Sequence, residues 1–105
     1  MNNQLTLLVQ LWLKEDNVAG FEAFERKAAT IMAKHGGTIE RVIRLAGSDP
    51  TVPFEVHVVS FPDEQAFAAY RADPAALALA QERAAVIEKT VVWSGVAVAS
   101  YGLQE

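Results

Sequence analysis

The residue best suited to proton chemistry in this 105-residue chain is His57. It falls in the alternating segment 54–61, with Glu55 two positions earlier and therefore on the same side of an extended strand. Imidazole has an ordinary pKa of about 6.5, so beside a carboxylate it can take up and return a proton near neutral pH. The same pair inside an interface would simply satisfy each other's hydrogen bonds, and no further residue completes a recognised catalytic set. Gln10, Trp12 and Trp93 lie on neighbouring apolar segments. With strand parities aligned they gather around His57 as apolar walls with a few polar groups, the usual make-up of a small-molecule site. Indoles fill interface cores just as readily. Arg44, on the polar side of segment 38–45, could hold a substrate carboxylate, pair with Glu40 or face water. The expected set is therefore His57 as general base, with Gln10, Trp12, Arg44, Glu55 and Trp93 as substrate contacts.

Other chemistries find little to build on. There are no cysteines, which excludes disulfides, thiolate nucleophiles and thiolate metal sites and suits the cytoplasm. His35 and His57 are the two histidines, and neither His-x-His nor His-Glu-x-x-His spacing occurs, so no metal site is expected. His35 closes a helix, where a cation suits the negative end of the dipole. Ser48, Ser60, Ser94 and Ser100 lack the Gly-x-Ser-x-Gly elbow of a serine hydrolase. Gly36-Gly37 follows a helix instead of leading into one, so it makes no phosphate loop. Nine basic residues against thirteen acidic ones give a net charge of −4, and the basic ones are dispersed, which argues against nucleic acid as a partner. Half of the residues are hydrophobic and a fifth charged, an ordinary globular balance. No apolar run approaches the roughly 20 residues that span a bilayer, and the N-terminus lacks the positive charge of a signal peptide. One domain over residues 1–105 is expected, with no membrane partner.

The elements that must position these residues follow from periodicity. Segments 5–14, 38–45, 54–61 and 91–100 read as strands. Phe21, Phe24, Ala28, Ile31 and Met32 form a helical stripe over residues 18–35, with Asp16 or Asn17 as N-cap, a Glu22 to Arg26 ion pair outside, and Gly36-Gly37 as the stop. A second helix starts at Asp63 and is broken at Asp73-Pro74, a fresh cap with proline at the first helical position. Its second piece, about residues 74–88, carries Leu77, Ala80, Ala84 and Ile87 as a stripe. The order is βαββαβ, an α+β ferredoxin-like sandwich with a four-stranded mixed sheet. Strands one and three are expected side by side and parallel in the middle, with strand four beside one and strand two beside three. Gln10 and Trp12 then lie near Glu55 and His57.

The first strand is apolar on both faces: Leu5, Leu7, Val9, Leu11 and Leu13 on one, Leu8 and Trp12 on the other. Helices on one side leave the second face without a cover in this chain. A second copy of the sheet is expected to supply it, which makes a homodimer.

The stretch from Phe24 to Gly37, the run Val58-Val59-Ser60-Phe61-Pro62 leading into Ala66 to Tyr70, and Asp73-Pro74 with Arg83 together resemble small bacterial proteins of the dimeric α/β-barrel superfamily, most of all an uncharacterised family within it. The resemblance implies a ferredoxin-like protomer whose sheet packs on its partner's. That superfamily includes cofactor-independent antibiotic-biosynthesis-type monooxygenases, muconolactone isomerases and haem-handling enzymes, and shared fold does not transfer function. Two expectations follow. One is a small enzyme of the oxygenase or isomerase type, with no cofactor, acting on a small organic molecule through His57. The other is a non-catalytic dimer that binds a small ligand or serves as an accessory scaffold.

Overall fold

Strand β1, Leu5–Leu13, is the axis of the sheet, and the parity of its side chains organises everything around it. A computed structural model describes residues 4–99 and 101; expectations for residues 1–3, Ser100 and the tail 102–105 lie outside them. The remaining elements are α1 (Val18–Ala33), β2 (Thr38–Arg44), β3 (Glu55–Phe61), α2 (Glu64–Ala72), α3 (Pro74–Leu77), α4 (Ala80–Val86) and β4 (Ile87–Gly95).

The sheet order is β2-β3-β1-β4, the neighbour relations expected of a ferredoxin-like protomer. Every neighbouring pair is antiparallel, so the expectations of a mixed sheet and of parallel β1 and β3 are corrected. The physical reason is the crossover: α1 carries the chain from β1 to β2, which runs parallel to β1 but two places away, and β3 fills the gap by reversing at the 45–54 loop.

Helix α1 forms where the sequence stripe predicts. Asn17 accepts a hydrogen bond from the Gly20 amide at its start, and Phe21, Phe24, Ala28, Ile31 and Met32 are buried. At its end Gly36 adopts φ +76°, a conformation that suits glycine, with Pro62 packed where a side chain would begin. Two clusters result beneath β1. Leu11, Phe21, Phe24, Ala28, Val86 and Ile87 form one, and Leu5, Leu7, Met32, Val59 and Phe61 the other.

The second helical region departs from expectation. The chain breaks at Asp73-Pro74 as predicted, but helix ends at Val86 and β4 begins at Ile87, earlier than residue 91. Ile87 pairs with Leu13 and fills the core as a strand residue, while Leu77 is exposed, so the 77/80/84/87 stripe is no packing face. Neither α2 nor α3 buries a residue, and α4 buries only Val86. These short helices cover the sheet only in part: Phe67 and Tyr70 of α2 pack on Phe61, and Val86 ends α4 in the core.

Candidate functional site

Pairing across the sheet decides which candidates meet. Val9 lies opposite His57, and Leu11 opposite Glu55, so both polar residues sit on the helix-covered face. Gln10 lies opposite Val56 and Val91, and Leu8 opposite Val58 and Trp93, on the other face. The expectation that Gln10, Trp12 and Trp93 surround His57 is therefore corrected. Like polarity does not predict like face here: a polar pair of β3 sits across from apolar residues of β1. The displaced residues form their own surface group, in which the Trp93 indole donates to Gln10 Oε1 at 2.9 Å and the Lys89 ammonium lies 4.8 Å from the Trp12 ring centre.

His57, Glu55 and Arg44 do come together. Val42 and Arg44 of β2 pair with His57 and Glu55 of β3, which brings the guanidinium to the carboxylate. Arg44 Nε donates to Glu55 Oε2 at 2.8 Å, and Nη2 lies 2.6 Å from the same oxygen. Nη2 also reaches Glu22 Oε2 at 3.1 Å, so Glu22 serves Arg44 and not Arg26. Glu40, the alternative partner, instead accepts from the Ser60 hydroxyl. Glu55 Oε1 is left for His57 Nε2 at 2.7 Å. A carboxylate can only accept, so Nε2 carries the proton, and in the neutral ring Nδ1 offers its lone pair.

That lone pair faces Glu25 of α1, whose Oε1 lies 3.7 Å from Nδ1. Glu55 and His57 are each only 4% exposed, and Glu25 is largely buried beside them. Burial pushes the Glu25 carboxyl above its ordinary range; His57 pulls it down, Glu55 raises it further and Arg83 lowers it. Glu25 was not among the sequence candidates. Its signal is its place within the apolar stripe of α1, four residues after Phe21 and three before Ala28, where a charge has to be explained.

Where α2, α3 and α4 leave the sheet partly uncovered a cavity of about 530 Å³ opens. Its floor is Leu7, Val9, Leu11 and Val59, and its polar groups are Glu25, His57, Tyr70, Arg71, Arg83 and Thr90. Burial raises the pKa of the Tyr70 phenol, with Glu25 adding to the rise and Arg83 opposing it, so it stays a neutral donor. Arg83 donates to the Thr90 hydroxyl. His35, the helix-closing histidine, lies outside the cavity and bonds Asp73 Oδ2 at 2.8 Å. Among the described residues no cluster of three or more His, Cys, Asp or Glu side chains is placed to hold a metal ion, and no helix is long and apolar enough to cross a membrane.

No family model matches the chain, and no curated protein matches it in sequence. Solved structures do match. SnoaB, a cofactor-independent oxygenase from Streptomyces nogalater, superposes with TM-score 0.72 and 20% identity over 96% of this chain and 99% of its own. A dabb family protein with a ferredoxin-like fold from Mesorhizobium loti gives 0.68 and 19% over 91% and 98%. A NIPSNAP family protein of unknown function from Agrobacterium tumefaciens gives 0.69 and 17% over 90% and 87%. The chain thus has the ferredoxin-like fold that the sequence resemblance implies.

Proposed function

We propose that this protein is a small homodimeric enzyme that removes a proton from an acidified C–H bond of a small organic molecule, using its own side chains as proton carriers. The observation that carries the reading is the chain Arg44, Glu55, His57, Glu25 leading from the sheet edge to a cavity. The substrate carbon gives its proton to the Glu25 carboxylate, which shares it with His57 Nδ1, and Glu55 offsets the charge that then develops on the imidazole. The electron pair left on carbon spreads onto an adjacent oxygen, for which Tyr70 and Arg83 are the available donors. Return of the proton to a different carbon is an isomerisation. Alternatively dioxygen takes the electron pair to form a C–O bond and receives the abstracted proton as a hydroperoxide, whose O–O bond breaks with loss of water to leave a carbonyl; this is an oxygenation, and the fold shared with SnoaB supports that outcome.

The test is deuterium exchange. In D2O, bicyclic aryl ketones such as 2-tetralone should incorporate deuterium at the acidic carbon faster with protein than in buffer, read by proton NMR. His57→Gln and Glu25→Gln should each lower the accelerated rate on the order of 10²-fold or more. Ketones that bind yet exchange no faster than in buffer would instead favour a ligand-binding scaffold, a reading supported by the charged neighbour at each His57 nitrogen.

The homodimer belongs to the same proposal. What supports it is the sheet face opposite the helices, where Leu8 is 42% and Trp93 61% exposed and Ile43 is exposed as well.

A further inference from the structure

A second hollow of about 410 Å³ adjoins the first, and the two share Leu7, Phe67, Arg71 and Val92. Together they form one groove running along the β4 side of the sheet, with Arg71 at the junction. Phe67 and Arg71 lie four apart on α2, and the guanidinium carbon stands 5.5 Å from the Phe67 ring centre. Among the described residues no carboxylate lies within ion-pair distance of Arg71, and no acceptor takes a hydrogen bond from it. Arg71 is exposed at the rim of both hollows, and the Phe67 ring face is the contact of its guanidinium, whose five donors are thus left for water or a ligand.

Charge singles out the kind of ligand. The chain as a whole carries −4, yet the cavity wall carries two cations, Arg71 and Arg83, against one carboxylate, Glu25, which faces His57. Arg83 spends one of its donors on Thr90 and turns the others to the reacting oxygen in the proposed reaction, which leaves Arg71 for a second anionic group. Glu64, two helical turns before Arg71, lines the outer hollow and repels an anion there. A negative group is therefore favoured at the junction and disfavoured beyond it.

We propose that the groove takes an organic carboxylate, with its apolar body over Leu7, Val59 and Phe61 and its carboxylate forked onto Arg71. The assignment rests on the cavity being the ligand site of the proposed enzyme and adds the substrate class to it. A planar guanidinium stacked on a ring is preorganised for two parallel hydrogen bonds to a carboxylate, and a partly dry groove screens that pair less than open water does.

Two matched probes test it: 2-naphthoate and its neutral analogue 2-naphthamide, titrated calorimetrically at pH 7.5 and low salt. Naphthoate should bind the wild type about tenfold more tightly than naphthamide, the scale of one charge-assisted pair. Arg71→Gln should erase that ratio by weakening naphthoate far more than naphthamide, with unchanged circular dichroism showing that the variant is folded. Arg71→Glu should reverse the preference. Equal affinity of both probes for the wild type, or a tenfold ratio that survives Arg71→Gln, overturns the carboxylate assignment and leaves the cavity reading standing. If neither probe binds, both fall.

Discussion

His57 is buried with a carboxylate on one nitrogen, and the stability of that arrangement depends on Arg44, which the solvent reaches more easily than its partners. Removing the guanidinium leaves Glu55 buried with His57 as its one remaining close partner. Arg44→Leu should therefore destabilise the protein by about 1–3 kcal/mol, the cost of an uncompensated buried polar group. Arg44→Leu combined with Glu55→Gln should recover part of that loss, because the charge that needed the guanidinium is gone; urea unfolding of the single and double variants measures it, and a double variant no better than Arg44→Leu would refute the account. The His57 and Glu55 pair is legible in the sequence because alternation puts both on one strand face; Arg44, expected on the polar side of its segment, reaches Glu55 because the register shift between Ile39 and Arg41 turns it to the helix-covered face. Gln10, Trp12 and Trp93 were misplaced because alternation says nothing about which face of one strand meets which face of the next. Glu25 was missed for a different reason: a helical stripe was read for its apolar members, and the charge embedded in it was passed over.

The elements themselves were legible wherever local signals agreed. The Asn17 cap, the α1 stripe and Gly36 all point to one helix, and it forms between those limits. Toward residue 90 they conflict: alanine-rich spacing extends the helix to about 88 while the β-branched residues from Val86 on fit a strand, and the helix ends at Val86 with Ile87 opening β4, where it completes the cluster under Leu11. The break at Asp73 has a second consequence. Its carboxylate caps α3 by accepting from the Ala75 amide at 2.8 Å while also bonding His35 at the end of α1, so one side chain ties the short helices to the core. The His35 hydrogen bond first, then the Ala75 amide, holds the Asp73 pKa below its ordinary value. A lowered carboxyl pKa stabilises the fold above the ordinary aspartate range and loses that contribution as pH falls through the folded value. Asp73→Ala should accordingly lower Tm at neutral pH, with the gap to wild type narrowing as the solution is taken into the acid range. A gap independent of pH would show that the capping geometry alone, and not the charge, matters.

At the scale of the molecule the decisive dimension is thickness. The smallest extent is 19 Å, enough for a sheet and one layer of helices and too little for a second cover. The packed helical segments α1, α2 and α4 lie on the face that carries Leu7, Leu11 and Val59, so among the described residues no layer covers Leu8, Trp12, Ile43, Val56, Val58, Val91 and Trp93. Apolar area of this kind gains roughly 25 cal/mol per Å² when removed from water, and a flat, twisted sheet finds its best complement in another sheet of the same twist. The proposed cover is a second copy, because the face is nearly uncharged at its centre, where β1 runs, and carries Glu40, Arg41 and Lys89 toward its edges, the arrangement of an apolar interface with a polar rim. Light scattering at micromolar concentration should therefore return twice the protomer mass of 11.4 kDa. Leu8→Glu with Ile43→Glu places like charges on the proposed shared surface and should shift the mass to that of the protomer, while leaving the circular dichroism of the fold intact, since neither side chain belongs to the core clusters. A wild-type protein that scatters as a stable protomer would remove the dimer from the proposal yet leave the cavity chemistry on the opposite face untouched, because no residue of the Arg44, Glu55, His57 and Glu25 chain lies on the surface the dimer would bury.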